Sequence, residues 1–335
     1  MVRILITGGC GFLGYYLVKD IQKHFPKAKI KILDLQENTV ENYRIKDKHI
    51  EISLGKDIAD FDSIKNEFKG FDTVIHCAGL VSFSLKNKDN LFKVNVDGTK
   101  NVLKSAFENN VKNFIHISSV AALGYKDSKD NLVDEDFKFN WKVAEKKNKF
   151  YMLTKYLADV EVKKYMGKMN TLILYPGLMF GPGDLKNSAK LIQAIKEKRI
   201  PFNMPGGTNI ADVRDVAKGI VLAMKNESTG DFLLSGHNLR FSEVNKIIAE
   251  VVGERPPSKT MPKFLNPLLY LILLNIERIK PNIELTADNI DSAFKYRYFS
   301  NFKARKAFNW KPEIKLKKTI QDTYNWMVKD GIVKR

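Results

Sequence analysis

Tyr151 and Lys155 stand four positions apart, so on a helix they share one face. An ammonium beside a phenol favours the phenolate and lowers the tyrosine's pKa from about 10 towards working pH, making it a usable proton donor and acceptor. Such a pair often arises by chance, but two other features accompany this one. The run Lys112-Asn113-Phe114-Ile115-His116-Ile117 reads as a strand ending in Ser118-Ser119. At the carboxyl end of a parallel strand, a hydroxyl lies where the ligand lies. One of the two serines is expected only to close strand-end backbone bonds. The third feature is Val2-Arg3-Ile4-Leu5-Ile6-Thr7-Gly8-Gly9-Cys10-Gly11-Phe12-Leu13-Gly14, an apolar strand followed by a glycine-rich turn. Leu13, Leu17 and Ile21 then continue at helical spacing. Gly8 permits a tight turn, Gly11 lets a pyrophosphate approach the backbone, and Gly14 lets the helix pack closely on the strand. The helix N-terminus then presents free donors and a positive dipole end to the anion.

These groups need strands and helices to position them. A second apolar run, 30–35, places Asp34 where an acidic side chain would take ribose hydroxyls. The run 50–54 alternates as a third strand and leads to Asp57 and Ile58; Asp57 either accepts from the amine of an adenine or caps the next helix. A fourth buried strand, 71–79, ends in the small residues Ala78 and Gly79, which allow close approach of a ligand. An amphipathic helix over 92–108 carries Asn95. The segment 125–149 is long, charged and irregular, and reads as a surface excursion over the site. A sixth strand, 171–176, runs through Tyr175 and Pro176 into a Pro/Gly-rich exit.

These segments resemble the extended branch of the short-chain dehydrogenase/reductase family, in the right order over essentially the whole chain. The glycine spacing is G-x-x-G-x-x-G. Asn95-Val96-Asp97-Gly98-Thr99-Lys100-Asn101-Val102-Leu103 is similar to a family helix signature, and Tyr151-Met152-Leu153-Thr154-Lys155-Tyr156-Leu157-Ala158-Asp159 to Tyr-x-x-Ser/Thr-Lys-x-x-Ala-Glu, with Asp159 for Glu. Lys56 interrupts the family's Gly-Asp-x-x-Asp segment, and Tyr175 replaces the common Arg before Pro176-Gly177. The stretches 118–124, 212–217 and 256–262 look most like the dihydroflavonol reductase and 3β-hydroxysteroid dehydrogenase branch. The resemblance implies a catalytic set of Ser119, Tyr151 and Lys155, with Asn95 in a structural and proton-relay role. It implies cofactor contacts from Gly8, Gly11, Phe12, Leu13, Gly14, Asp34, Asp57, Ile58, Ala78, Gly79, Asn95, Tyr151, Lys155, Tyr175 and Pro176. The helices at 92–108 and 151–165 resemble those that pair across the family's two-fold axis, implying a homodimer.

The expected fold is therefore α/β: a doubly wound, Rossmann-type parallel sheet with a smaller, interleaved C-terminal substrate domain. Residues 1–183 form the dinucleotide part and 184–335 mainly the substrate part, with the strand at 230–236 returning to the main sheet. The expected reaction is hydride transfer between a nicotinamide and a secondary alcohol or ketone. NAD is expected over NADP, because Asp34 would repel a 2′-phosphate and no Arg follows it. The alternatives are a sugar-nucleotide epimerase, whose relatives often carry Tyr where Leu123 stands, and a cofactor-binding scaffold without turnover, whose relatives usually lose the Tyr and Lys. A 4,6-dehydratase would need Asp-Glu where Val120-Ala121 stand.

Composition limits the partners. Of 335 residues 44% are apolar and 28% charged, which excludes a disordered chain. The net charge of +18 comes mostly from lysines spread along the chain, without the Arg-rich or aromatic-basic patches that read nucleic acid. Weak attraction to anionic lipid or to a phosphorylated substrate stays open. Cys10 and Cys77 make no disulfide framework, the five histidines lack metal-ligand spacing and read as structural, and no metal site follows. The first strand starts at residue 2, so no N-terminal signal is read and a cytoplasmic location is expected. The apolar stretch 261–276, broken by Pro267 and Asn275, is too short to span a bilayer. It reads as a buried or lid helix of the substrate domain in preference to an interfacial membrane helix. Either reading puts an apolar roof over a small, apolar or lipid-like substrate.

Overall fold

Ile4, Leu5, Ile6, Val74, Ile75, Phe114, Ile173 and Leu174 are wholly inaccessible. Consecutive apolar residues with no exposed face belong to strands covered on both sides by helices. The computed structural model, which describes residues 2–280 and 283–334, arranges them so. Its strands are β1 (Arg3–Thr7), β2 (Lys29–Leu33), β3 (Glu51–Ser53), β4 (Thr73–His76), β5 (Asn113–Ile117), β6 (Asn170–Pro176), β7 (Leu178–Phe180), β8 (Phe202–Asn203), β9 (Gly207–Asp212), β10 (Gly230–Leu234), β11 (His237–Arg240) and β12 (Lys259–Thr260). Seven of them form one sheet in the order β10-β6-β5-β4-β1-β2-β3, and every neighbouring pair is parallel. The chain winds outward from β1 to β3 and then returns to β4, on the other side of β1. Strand order therefore reverses between β1 and β4, and a crevice opens at their carboxyl ends. This is the expected doubly wound Rossmann-type fold.

Later chain segments complete this core. The helix Val213–Lys225 puts Val216, Ala217 and Ile220 into the same apolar cluster as Leu13, Leu17 and Ile21 of the helix Phe12–His24. Its start is set by Asp212, whose carboxylate accepts from the Arg214 amide at 2.8 Å, pairs with the Arg214 guanidinium and accepts from the Thr319 hydroxyl. Asp215 accepts from the amides of Glu313 and Ile314, both at 3.0 Å. The indole of Trp310, 1% exposed, donates to the Asp215 carbonyl at 2.8 Å. A Cβ at Gly219 would lie 2.6 Å from that indole nitrogen, so only glycine fits there. Strand β7 pairs with β9, and β9 with β11, in a second sheet that links the Pro/Gly-rich exit of β6 to the later chain.

Local readings change in four places. The helix read at 92–108 begins at Lys88 and includes a π-helical stretch, Phe92–Asp97, whose Asn95 carbonyl accepts from the Thr99 hydroxyl just beyond it at 2.6 Å. Gly14 makes room for the backbone of Gly9, 2.2 Å from where its Cβ would be, and so closes the helix onto the loop and not onto the strand. The segment 125–149 is more than a surface excursion, because Val133 pairs through its backbone with Tyr298 and Ser300 and, like Ala144 and Lys149, is wholly buried. The apolar stretch at 261–276 is not a buried helix. The helix that forms, Asn266–Ile279, buries Leu274 and Glu277 and turns most of its apolar residues outward.

Candidate active site

The helix Phe150–Lys163 holds to the protein through Met152, Leu153, Ala158 and Val162. Lys155 lies on this buried side, and its ammonium donates to the Ile117 carbonyl, the last of β5, at 3.1 Å. That bond fixes the helix against the strand end that carries the serines. Ser119 is half-buried and begins the 3₁₀ turn Val120–Leu123, accepting from the Ala121 amide at 3.2 Å. The Ser119 hydroxyl lies beside the Tyr151 phenol and favours its ionised form, and the ring of Phe83 meets that of Tyr151 edge-on at 5.5 Å. Ser118 is the serine that closes the strand, its amide donating to the Leu174 carbonyl at 2.9 Å.

Burial raises the Tyr151 phenol above its ordinary value, and the Ser119 hydroxyl and the Arg297 charge act against it. Sequence reasoning assigned that lowering to Lys155, but here the acting cation is Arg297. Lys155 is itself lowered by burial, with Asp159 and Cys77 acting to retain its proton. Arg297 escaped notice because it lies 146 positions from Tyr151, in Tyr296-Arg297-Tyr298. Among the described residues its side chain has no hydrogen bond, and its Nε is buried without a partner. Lys149, immediately before the helix, was also missed: wholly buried, it is held by Asp288 at 2.6 Å and Asp291 at 3.1 Å.

The glycine loop lies beside these groups. Gly8 is in the left-handed region, φ +70°, and a Cβ there would meet the Ala78 backbone at 2.6 Å. The helix Phe12–His24 starts from Gly11 without a side-chain cap, and its first backbone bond runs from Tyr15 to Gly11, leaving the amides of Phe12, Leu13 and Gly14 for a ligand. Asp34 follows β2, with Oδ2 accepting from the Cys10 amide at 2.9 Å and Oδ1 from the Leu35 amide at 2.8 Å. Its carboxyl is raised by burial, with those amides opposing. Gly79 lies between Asn95 and Lys155: a Cβ there would lie 3.2 Å from Asn95 Oδ1 and 3.9 Å from Lys155 Nζ. Asn95 clamps Leu80 by both amide atoms, at 2.8 and 3.0 Å, and donates to the Thr154 hydroxyl at 3.1 Å.

The other residues expected to contact the cofactor lie as follows in the fold. Asp57 accepts from the Ala59 amide at 2.9 Å, and the helix cap is Asp60, not Asp57. The Ile58 side chain is buried, packed on Gly98. Tyr175, 1% exposed, is closed off in the core beside Asp159, leaving only its backbone for a ligand; Pro176 is buried at the end of β6. His76 and His116 sit inside the sheet with imidazoles held well below their usual pKa, first by burial. Burial pushes the thiols of Cys10 and Cys77 up to about 12.

Fold and site define a dinucleotide-binding oxidoreductase, and comparison with known proteins agrees. The model of the 3-beta hydroxysteroid dehydrogenase/isomerase family matches residues 5–231; the chain belongs to this family and is an enzyme acting on CH–OH groups. It is 26% identical to a Synechocystis sp. protein provisionally named dihydroflavonol 4-reductase, over 98% of this chain and 95% of that one. It is 27% identical to a decarboxylating sterol-4-alpha-carboxylate 3-dehydrogenase of Candida albicans, over 98% of each chain. Among solved structures, a Thermus thermophilus UDP-glucose 4-epimerase in complex with NAD has the same fold, with TM-score 0.75 at 19% identity over 99% of both chains.

Asp159 gives this cluster a pH signature. Burial pushes its carboxyl up from 3.8 to about 7, with Ser118 and Lys155 among the groups opposing, and His116 Nε2 lies 3.4 Å away. As pH rises from 4 to 7 the unfolded chain releases this proton while the folded chain keeps it, so stability falls across that window and then levels off. Asp159→Asn removes the fall. The variant should gain roughly 1–4 kcal/mol on the parent between pH 4 and pH 8 in urea unfolding; a pH-independent difference would contradict the assignment.

Proposed function

We propose that the protein moves a hydride between NAD and a secondary carbinol carbon of an apolar, sterol-like molecule. The observation that carries this reading is the Lys155 ammonium bonded to the end of β5, which holds the helix of Tyr151 against the strand end of Ser119 so that the serine lies beside the phenol. When bound, the nicotinamide supplies the hydride acceptor or donor. Its pyrophosphate fits the glycine loop, since a Cβ on Gly11 would fill the cradle above Gly8 and the first-turn amides lack partners. Ser119 orients and polarises the substrate oxygen, Tyr151 carries its proton with the Arg297 charge favouring the ionised phenol, and Lys155 holds the nicotinamide ribose. Residues 1–183 serve the dinucleotide and 184–335 mainly the substrate, with β10 returned to the main sheet. The apolar character of the substrate is supported by the sterol-acting relatives.

Tyr151→Phe is expected to lower turnover roughly a hundredfold or more with little change in cofactor affinity. Lys155→Ala should lower turnover and weaken cofactor binding together, since one ammonium holds the ribose and fixes the Tyr151 helix to the end of β5. Parental turnover in Tyr151→Phe would remove the tyrosine from the mechanism.

Cofactor choice rests on Asp34, whose carboxylate closes the ribose end of the loop; Leu35-Gln36-Glu37 follow it and bring no cation. Fluorescence titration should show NADH binding more tightly than NADPH, and the reverse order would refute this role.

The helices Gly98–Glu108 and Phe150–Lys163 pack side by side, with Phe107 exposed against Tyr165, a face suited to a two-fold four-helix contact. Sedimentation at micromolar protein should give twice the chain mass, and a monomer there would rule the contact out.

A further inference from the structure

The helix Asn266–Ile279 has its apolar face on the wrong side for a globular protein. Leu268, Leu271, Ile272, Ile276 and Ile279 recur at helical spacing and are all exposed, Ile279 at 80%, and Phe264 just before them is 78% exposed. The opposite side carries Leu274 and Glu277 inward. A contiguous exposed apolar stripe of this kind marks an interaction surface. At 14 residues the helix is about 21 Å long, too short to cross a bilayer and suited to lying in its plane.

Charge selects the occupant. Lys263, Arg278 and Lys280, on or next to the helix, are exposed, as are Arg255 and Lys259 earlier in the chain. The one acidic residue between 255 and 280, Glu277, is buried and accepts from the Ala287 amide at 2.9 Å. A second copy docked face to face would bring an identical basic rim against this one, which repulsion opposes; an anionic surface is attracted by it. The helix also borders the site. It packs on the helix Ala287–Ala293, Asn266 donates to Asp291 at 3.2 Å, and Asp291 and Asp288 hold Lys149, two residues before Tyr151.

We propose that Phe264 and the helix Asn266–Ile279 dock the protein on an anionic bilayer, with the stripe in the acyl boundary and the basic rim among the headgroups. An apolar substrate then passes from lipid to the Ser119 and Tyr151 site without crossing water. The passage rests on the reading of the substrate as sterol-like; the docking does not, and is measured without substrate. Full-length protein is sedimented with phosphatidylcholine vesicles and with phosphatidylcholine–phosphatidylserine vesicles. The parent should bind the anionic vesicles more strongly, and salt should weaken this binding. Leu271→Glu should lower vesicle affinity by ~tenfold or more, with circular dichroism and turnover of a water-soluble carbinol unchanged. Lys263→Glu with Arg278→Glu should abolish the preference for anionic vesicles. Equal binding of parent and Leu271→Glu would overturn the proposal. So would failure of the parent to bind, or a parental self-association that Leu271→Glu abolishes, which would assign the stripe to a second copy.

Discussion

A buried ammonium must find oxygen, and Lys155 finds it at the Ile117 carbonyl. This one bond joins the helix that carries Tyr151 to the strand end that carries Ser119. Asp159, one helical turn further on, supplies the opposing charge from the buried side of the same helix, and burial in turn raises its carboxyl. Neither group is comfortable alone. A cation lowered by burial beside an acid raised by burial is a cluster whose protonation responds to any charge placed in the crevice, as perturbed groups at functional sites do. The phenol is raised in the same way, and Ser119 and Arg297 act against that rise.

The remaining structure keeps this cluster in register with the glycine loop. Thr7 at the end of β1 contacts the His76 ring at 2.7 Å, and that ring reaches the Thr99 hydroxyl at 3.0 Å. The loop, β4 and the helix bearing Asn95 are thus tied through one neutral imidazole. Asn95 then sets Leu80 and Thr154, bringing the connection back to the Tyr151 helix. The C-terminal chain braces the outer face, since Trp310 and the helix Val213–Lys225 pack on the helix that opens at Gly11. The later chain is therefore structural for the helix that follows the glycine loop.

What could be read from the sequence was short-range. The turn after β1, the strand-end serines and the four-residue spacing of Tyr151 and Lys155 each depend on neighbours within a few positions, and periodicity exposes the strands between them. The seven-stranded sheet followed from these runs. Long-range pairing left no such trace. Lys149 looked like one more lysine in a charged loop, yet its partner Asp288 lies 139 positions away. Arg297 sat in a C-terminal stretch with no periodic signal. Tyr175 occupied a position where the family places Arg, and only the packing around Asp159 shows that its side chain faces the core. The stretch at 261–276 shows a further limit, because hydrophobicity says that a surface wants cover without saying whether protein or lipid supplies it.

A fold shared with epimerases leaves open whether a hydride stays on the cofactor or returns to the substrate, and label transfer separates the two most directly. A 3β-hydroxysterol carrying deuterium at the carbinol carbon, incubated with the enzyme and NAD, should yield the 3-ketone together with reduced cofactor containing one deuterium by mass spectrometry. Unlabelled reduced cofactor, or labelled sterol returned as its 3-epimer, would contradict net carbinol oxidation at the Ser119, Tyr151 and Lys155 site.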